Sequence, residues 1–149
     1  MAGNFNDSTR EMIGNMALGL RVDRAAAALA AATTPFFTVT GQIQVMALYA
    51  VVTVASGANA CSWSVNPTDG TTVKICGDLD INPAIAGDIL GITGVLATAM
   101  TYGGAVVGIM QPLIITAGTI DFIAAAADGT ISAHIIYIPL STGANVVTA

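Results

Sequence analysis

Apolar and polar residues alternate with a period of two in several stretches of this chain. Cys61, Trp63 and Val65 alternate with Ser62 and Ser64, and Ile131, Ala133, Ile135 and Tyr137 alternate with Ser132 and His134. A period of two places one set of side chains on each face of a strand, so each stretch predicts a strand with one face in the core. Ile43 to Val54 is a longer run rich in Val, Ile, Thr and Tyr, which fits a half- or fully buried strand. Pro35 opens the β pattern, and Phe36, Phe37, Val39 and Thr40 form a strand that Gly41 turns. Gly57-Ala58-Asn59 and Asn66-Pro67-Thr68-Asp69-Gly70 are turns, the second being the strongest turn signal in the chain.

Further along, Asp78 to Asp88 reads as a loop, Leu90 to Gly94 as a turn and Thr98 to Gly104 as another loop. Ala105 to Met110 reads as a short strand. Pro112 to Leu140 reads as a C-terminal hairpin, two apolar β-rich runs around an Ala-rich segment that ends at Asp128-Gly129. Its last strand turns apolar on both faces near Ile136, Ile138 and Pro139, so one face closes a core and the other meets something outside it. About seven to nine strands at short spacing predict an all-β, antiparallel β-sandwich, jelly-roll-like in form.

Residues 1–34 differ and read as an N-terminal arm ahead of a sandwich domain at 35–149. Ser8 and Glu11 have capping-box spacing, and a short helix from Thr9 to about Leu20 is compatible with it, although Gly14 and Gly19 weaken it. The tract Ala25 to Ala32 fits a helix or an extended arm ordered against a neighbour.

The hairpin around Asp69-Gly70 gives a register for the two cysteines. With Val65 opposite Val73, Trp63 faces Ile75, Cys61 lies opposite Gly77, and Cys76 points to the other face with Ser62. A slip of one residue would set Cys61 against Cys76 but would also set Trp63 against Lys74, exchanging the faces. The first register predicts two free thiols, one of them buried with Trp63.

Composition sharpens this picture. Charged residues make up 9% of the 149, hydrophobic residues 54%, and mean hydropathy is +0.77. Ordinary soluble domains are about 25% charged. The apolar windows are interrupted by Gln44, Thr53, six glycines and prolines between Ile89 and Gly118, and lack basic flanks, which favours a soluble β assembly over a membrane protein. Aromatic residues at 5% are too few for the girdles of an outer-membrane barrel. From Pro35 onward, one lysine stands against six aspartates, so the whole net charge of −5 lies on the β region. Such a body repels phosphate backbones, which disfavours nucleic acid as a partner. The polar N-terminus has no apolar secretory core, so synthesis in a cytoplasm is expected.

Candidate chemistry is sparse. His134 is the single histidine, and a catalytic role would need a nucleophile and an orienting acid beside it. Asp78, Asp80 and Asn82 begin a calcium-loop spacing that fails at Pro83 and Ile89, although Asp88 could come close. No phosphate loop, paired carboxylates or metal cluster is present, so no cofactor, no metal and no enzymatic activity are expected. Trp63 and Tyr137 could stack on a sugar, but core packing suits them better. A surface of roughly 7,000 Å² holding so few charges marks subunit interfaces.

LRVDRA at Leu20 to Ala25, NPTDGTTVKICGDLDIN at Asn66 to Asn82, GITG at Gly91 to Gly94, PLIITAGTIDF at Pro112 to Phe122 and GTISAHIIYIPLSTGANV at Gly129 to Val146 form an order of strands and turns. It resembles the small virion proteins of tailed bacteriophages, and looks like a jelly-roll capsid decoration (cement) protein. The resemblance implies a virion location on the capsid exterior, with the major capsid protein and further copies of itself, as a trimer, as partners. From the acidic charge and the interrupted apolar windows, no nucleic-acid and no membrane partner is expected. Arg21, Arg24 and Leu29 of the arm, with Ile136 and Ile138, are the expected interface residues. The alternatives are a tail-fibre or receptor-binding β domain, and a carbohydrate- or calcium-binding sandwich in which Asp78, Asp80 and Asp88 converge.

Overall fold

A computed structural model describes residues 18–104 and 110–149. The expected capping box, the body of the expected N-terminal helix and most of the expected strand at 105–110 lie outside the described residues. Twelve strands follow in order: β1 (Leu20–Ala28), β2 (Thr33–Thr40), β3 (Ile43–Val54), β4 (Ala60–Pro67), β5 (Val73–Lys74), β6 (Leu79–Asp80), β7 (Asp88–Gly91), β8 (Thr101–Gly104), β9 (Leu113–Ile115), β10 (Gly118–Ala124), β11 (Thr130–Pro139) and β12 (Asn145–Thr148). Among the described residues, no helix is long and apolar enough to cross a membrane.

The strands form two antiparallel sheets. Sheet A has the order β1-β11-β3-β7-β8, with β9 also on β3; sheet B has the order β12-β2-β10-β4-β5, with β6 also on β4. The first four strands alternate between the sheets. Late in the chain, β10 inserts between β2 and β4, and β11 between β1 and β3. Late strands thus return between early ones in both sheets of an all-β sandwich. This corrects the C-terminal hairpin: β10 and β11 lie in opposite sheets, and the Ala-rich segment between them carries the chain across. Composition showed two strands and a turn but could not show which sheet each would join.

The core lies between the sheets. Ile131, Ala133, Ile135 and Tyr137 of β11 are all buried, as the alternation predicts. Trp63, Phe36 and Phe122 form its aromatic centre, with Trp63 edge-on to both rings at 5.5 and 4.9 Å. In β3 the alternation breaks where a register shift leaves one extra residue, Met46, between the paired positions Val45↔Tyr137 and Ala47↔Ile136. Ile43 and Val45 point inward before the bulge, and Leu48, Ala50 and Val52 after it.

The sheet begins earlier than the β pattern implied. Leu20–Ala28 is not a separate arm element but the edge strand β1, paired with β11 from Leu20↔Tyr137 to Ala28↔Thr130. The Ala25–Ala28 part of the alanine tract is therefore extended. Ladder bonds to β11 override the helix propensity of alanine, which is worth only fractions of a kcal/mol per residue. Three expected loops also contain short strands, namely β6, β7 and β8. In the cysteine hairpin, Val65 pairs with Val73 and the Ile75 N–H donates to the Trp63 carbonyl, as expected. Cys61 pairs with Leu79 rather than lying opposite Gly77, because the chain between Ile75 and Leu79 is not regular strand.

Candidate functional site

Residues paired across antiparallel strands share a face, so the registers define the outer face of sheet A as a grid. One row runs Ser132–Val51–Ile89, the next Asp23–His134–Tyr49–Gly91, the third Arg21–Ile136–Ala47 and the last Ile138–Gln44–Ile114. No described element covers it. Ile136 and Ile138 are half-buried by their neighbours, while Met46 and Ile114 stand exposed, Ile114 to 65%. The apolar members of these rows are Val51, Ile89, Tyr49, Ile136, Ala47, Ile138 and Ile114.

One polar island sits in it. The Arg21 Nε donates to Asp23 Oδ1 at 2.7 Å, and His134 Nδ1 lies 2.6 Å from the same oxygen. Ionised Asp23 has no proton to give, so Nδ1 carries the hydrogen and Nε2 of the neutral ring is an acceptor, with the Ser132 hydroxyl at 3.5 Å. The Tyr49 ring packs on the imidazole at a centroid distance of 4.9 Å. The hydrogen bonds from His134 and then Arg21 hold the Asp23 carboxyl below its ordinary value. The island's fixed charges, Arg21 and Asp23, cancel.

Ser132, His134 and Asp23 thus have the connectivity of a nucleophile, base and orienting acid. The sequence supplied only the first two, because Asp23 comes from a strand more than a hundred residues away. β11 is flanked by β1 and β3, so its N–H groups lie in the sheet plane and are used in ladders. None is aimed above the face, where an oxyanion would form.

The other expected interface residues take separate places. Arg24 turns inward at the edge of the sandwich, stacking 4.1 Å over the Phe36 ring and donating to the carbonyls of Pro35 at 2.6 Å and Phe36 at 3.2 Å. It therefore joins the two sheets of its own domain. Leu29 is buried in the core of this chain.

The acids of the expected cation loop do not converge. Asp78 accepts from Lys74 Nζ at 2.6 Å, Asp80 from the Asn59 N–H at 2.9 Å and Asp88 from the Ile85 N–H at 2.8 Å. Lys74 holds the Asp78 carboxyl below its usual range. Among the described residues no three acids, histidines or cysteines gather to hold a metal ion. Trp63 and Tyr137, the candidates for sugar stacking, are both buried.

Two other features stand apart. A cavity of about 280 Å³ opens beside β4, β5 and β9, lined by Val65, Val73, Ile75, Leu96, Leu113 and Ile115 among others. It contains no charged side chain to orient a ligand. On sheet B, Asp121 pairs with Ser64, and Asp121 Oδ1 and the hydroxyls of Ser62 and Ser64 are buried without hydrogen-bond partners. No protein-family model matches the chain, and no curated protein or solved structure matches it.

Proposed function

We propose that this protein is a structural virion component of the capsid-decoration kind, which binds the outer surface of a phage head and self-associates, as a trimer in the form the resemblance implies. The observation that supports the reading is the outer face of sheet A. It is apolar, no described element covers it, and its fixed charges cancel within a chain of net charge −5. The apolar part of such a face gains on contact with another protein surface. The acidic body, which repels nucleic acid, agrees with a place outside the genome.

The test is electron microscopy of the source particle with the protein labelled. Label on the capsid surface is the expected result. Label at the tail tip would replace this reading with the receptor-binding one.

A further inference from the structure

β1 is the edge strand of sheet A. It pairs with β11 on one side, and among the described residues no strand pairs with it on the other. Alternate residues of such a strand turn their N–H and C=O groups away from the sheet, where another extended chain can pair with them. We infer that this edge pairs with the same edge of a second copy, antiparallel and centred on Val22, so that two A sheets join across a two-fold axis. The inference goes beyond the capsid reading and holds wherever the protein is found.

The length of the straight run points to this centre. The ladder to β11 is regular from Leu20↔Tyr137 to Arg24↔Ala133, then shifts before Ala27↔Ile131. The bulge twists the far part of the strand out of line, and Arg24 turns its charge inward over Phe36. Both devices blunt an edge. The open run is therefore Leu20 to Arg24, and its midpoint is Val22.

Charge points to the same centre independently. Arg21 and Asp23 lie on the outer face, bonded to each other at 2.7 Å, with side chains 55% and 52% exposed. Two sheets joined edge to edge by an antiparallel pair have continuous faces, so directly opposed residues must belong to the same face. Centring on Arg21, Val22 or Asp23 meets that condition and keeps most of the run paired. The first choice sets Arg21 against its own copy, and the last sets Asp23 against its own copy. Centring on Val22 sets Arg21 of each copy opposite Asp23 of the other, and the two-fold axis makes this contact twice. Opposite charges in opposed positions stabilise a strand pair, and like charges weaken it. The result is a square of four alternating charges with none in excess. On the inner face Val22 meets Val22, and Leu20 lies beside the aliphatic stem of Arg24. Leu20 and Val22 already pack on the core, so the pairing carries the core across the axis.

The test uses Arg21→Asp and Asp23→Arg, each in the full chain. Either variant alone sets like charges opposite one another, whereas an equimolar mixture sets opposite charges together again. Sedimentation at low ionic strength is expected to show a dimer for the wild type and association at least tenfold weaker for each variant alone. The mixture should recover the dimer, which no damage to a single variant would explain. Buried Trp63 reports by its fluorescence that each variant is folded. A second measurement is independent of charge. Val22→Cys sets a thiol opposite itself across the axis, while native Cys61 and Cys76 are buried. Mild oxidation should give covalent dimer in at least tenfold excess over Leu20→Cys, whose thiol would lie opposite Arg24 of the other copy.

A monomeric wild type overturns the inference and removes self-association from the reading above, while the capsid location still stands or falls on the labelling test. A wild type that associates no more tightly than either variant places the contact elsewhere and overturns the inference alone. So does a mixture of folded variants that stays monomeric, or Leu20→Cys cross-linking as readily as Val22→Cys. If a charge variant unfolds, the cysteine pair decides.

Discussion

His134 Nδ1 lies 2.6 Å from Asp23 Oδ1 and ties the edge strand β1 to β11 at a point where the two residues are directly paired. Asp23 has its folded-state pKa depressed by His134 and Arg21. A depressed carboxyl contributes stability above its unfolded pKa, about 3.9, and that stability is lost as pH falls through the lower folded value. Half of the Asp23 side chain is in solvent, so screening limits the contribution to at most about 1 kcal/mol. Asp23→Asn should therefore flatten the acid limb of a stability-versus-pH curve measured in urea. An unchanged limb below about pH 4 would show that the pair contributes nothing.

Both cysteines are free and buried. Burial first, and then Asp80, pushes the Cys61 thiol up to about 12, and burial raises Cys76 as well, against the bond it accepts from the Trp63 N–H at 3.2 Å. Only a thiolate reacts. Native protein should thus resist a thiol reagent at neutral pH, and both cysteines should react once it is unfolded. Rapid labelling of folded protein, or a disulfide on a non-reducing gel, would contradict the packing described for β4.

Gly118 begins β10 at φ +152°, and a Cβ there would run into the Asn66 carbonyl of β4. Gly118→Ala should cost about 2 kcal/mol or more, because backbone rather than a mobile side chain must give way. Gly103 has open space around its would-be Cβ and φ outside the left-handed region. Gly103→Ala should remain within about 0.5 kcal/mol of wild type in the same denaturant titration.

Much of this fold was legible in the sequence and some was not, for separable reasons. The alternation in β4 and β11 showed which residues face inward, because period two leaves no choice once one face is apolar. The Val65↔Val73 register followed from the need to keep Trp63 off Lys74. The strand β1 was hidden because alanine has no strand preference of its own, and only the β11 ladder makes that segment extended. The pairing of β10 and β11 was misread because strand order between sheets depends on long-range contacts. The His134 island had half a signal, the alternating Ser132 and His134. Its acid could have been sought in Arg21 and Asp23, whose spacing of two puts both on one face of any strand.

Asp121 is buried, with one carboxylate oxygen lacking a hydrogen-bond partner beside the equally orphaned Ser64 hydroxyl. A buried acceptor without a partner is destabilising, and an amide at this position can donate to the Ser64 hydroxyl, so Asp121→Asn should raise stability by about 1 kcal/mol, seen as a higher urea midpoint. A lower midpoint would contradict this.

We propose that β11 has two faces with different tasks: Ile135 closes the core, and Ile136 meets another copy. Sedimentation equilibrium of wild type and Ile136→Asp, with Trp63 fluorescence on the same samples, separates the two. An associating wild type and an Ile136→Asp variant that is monomeric with a native core are expected. A monomeric wild type, or an Ile136→Asp variant that unfolds, would contradict it.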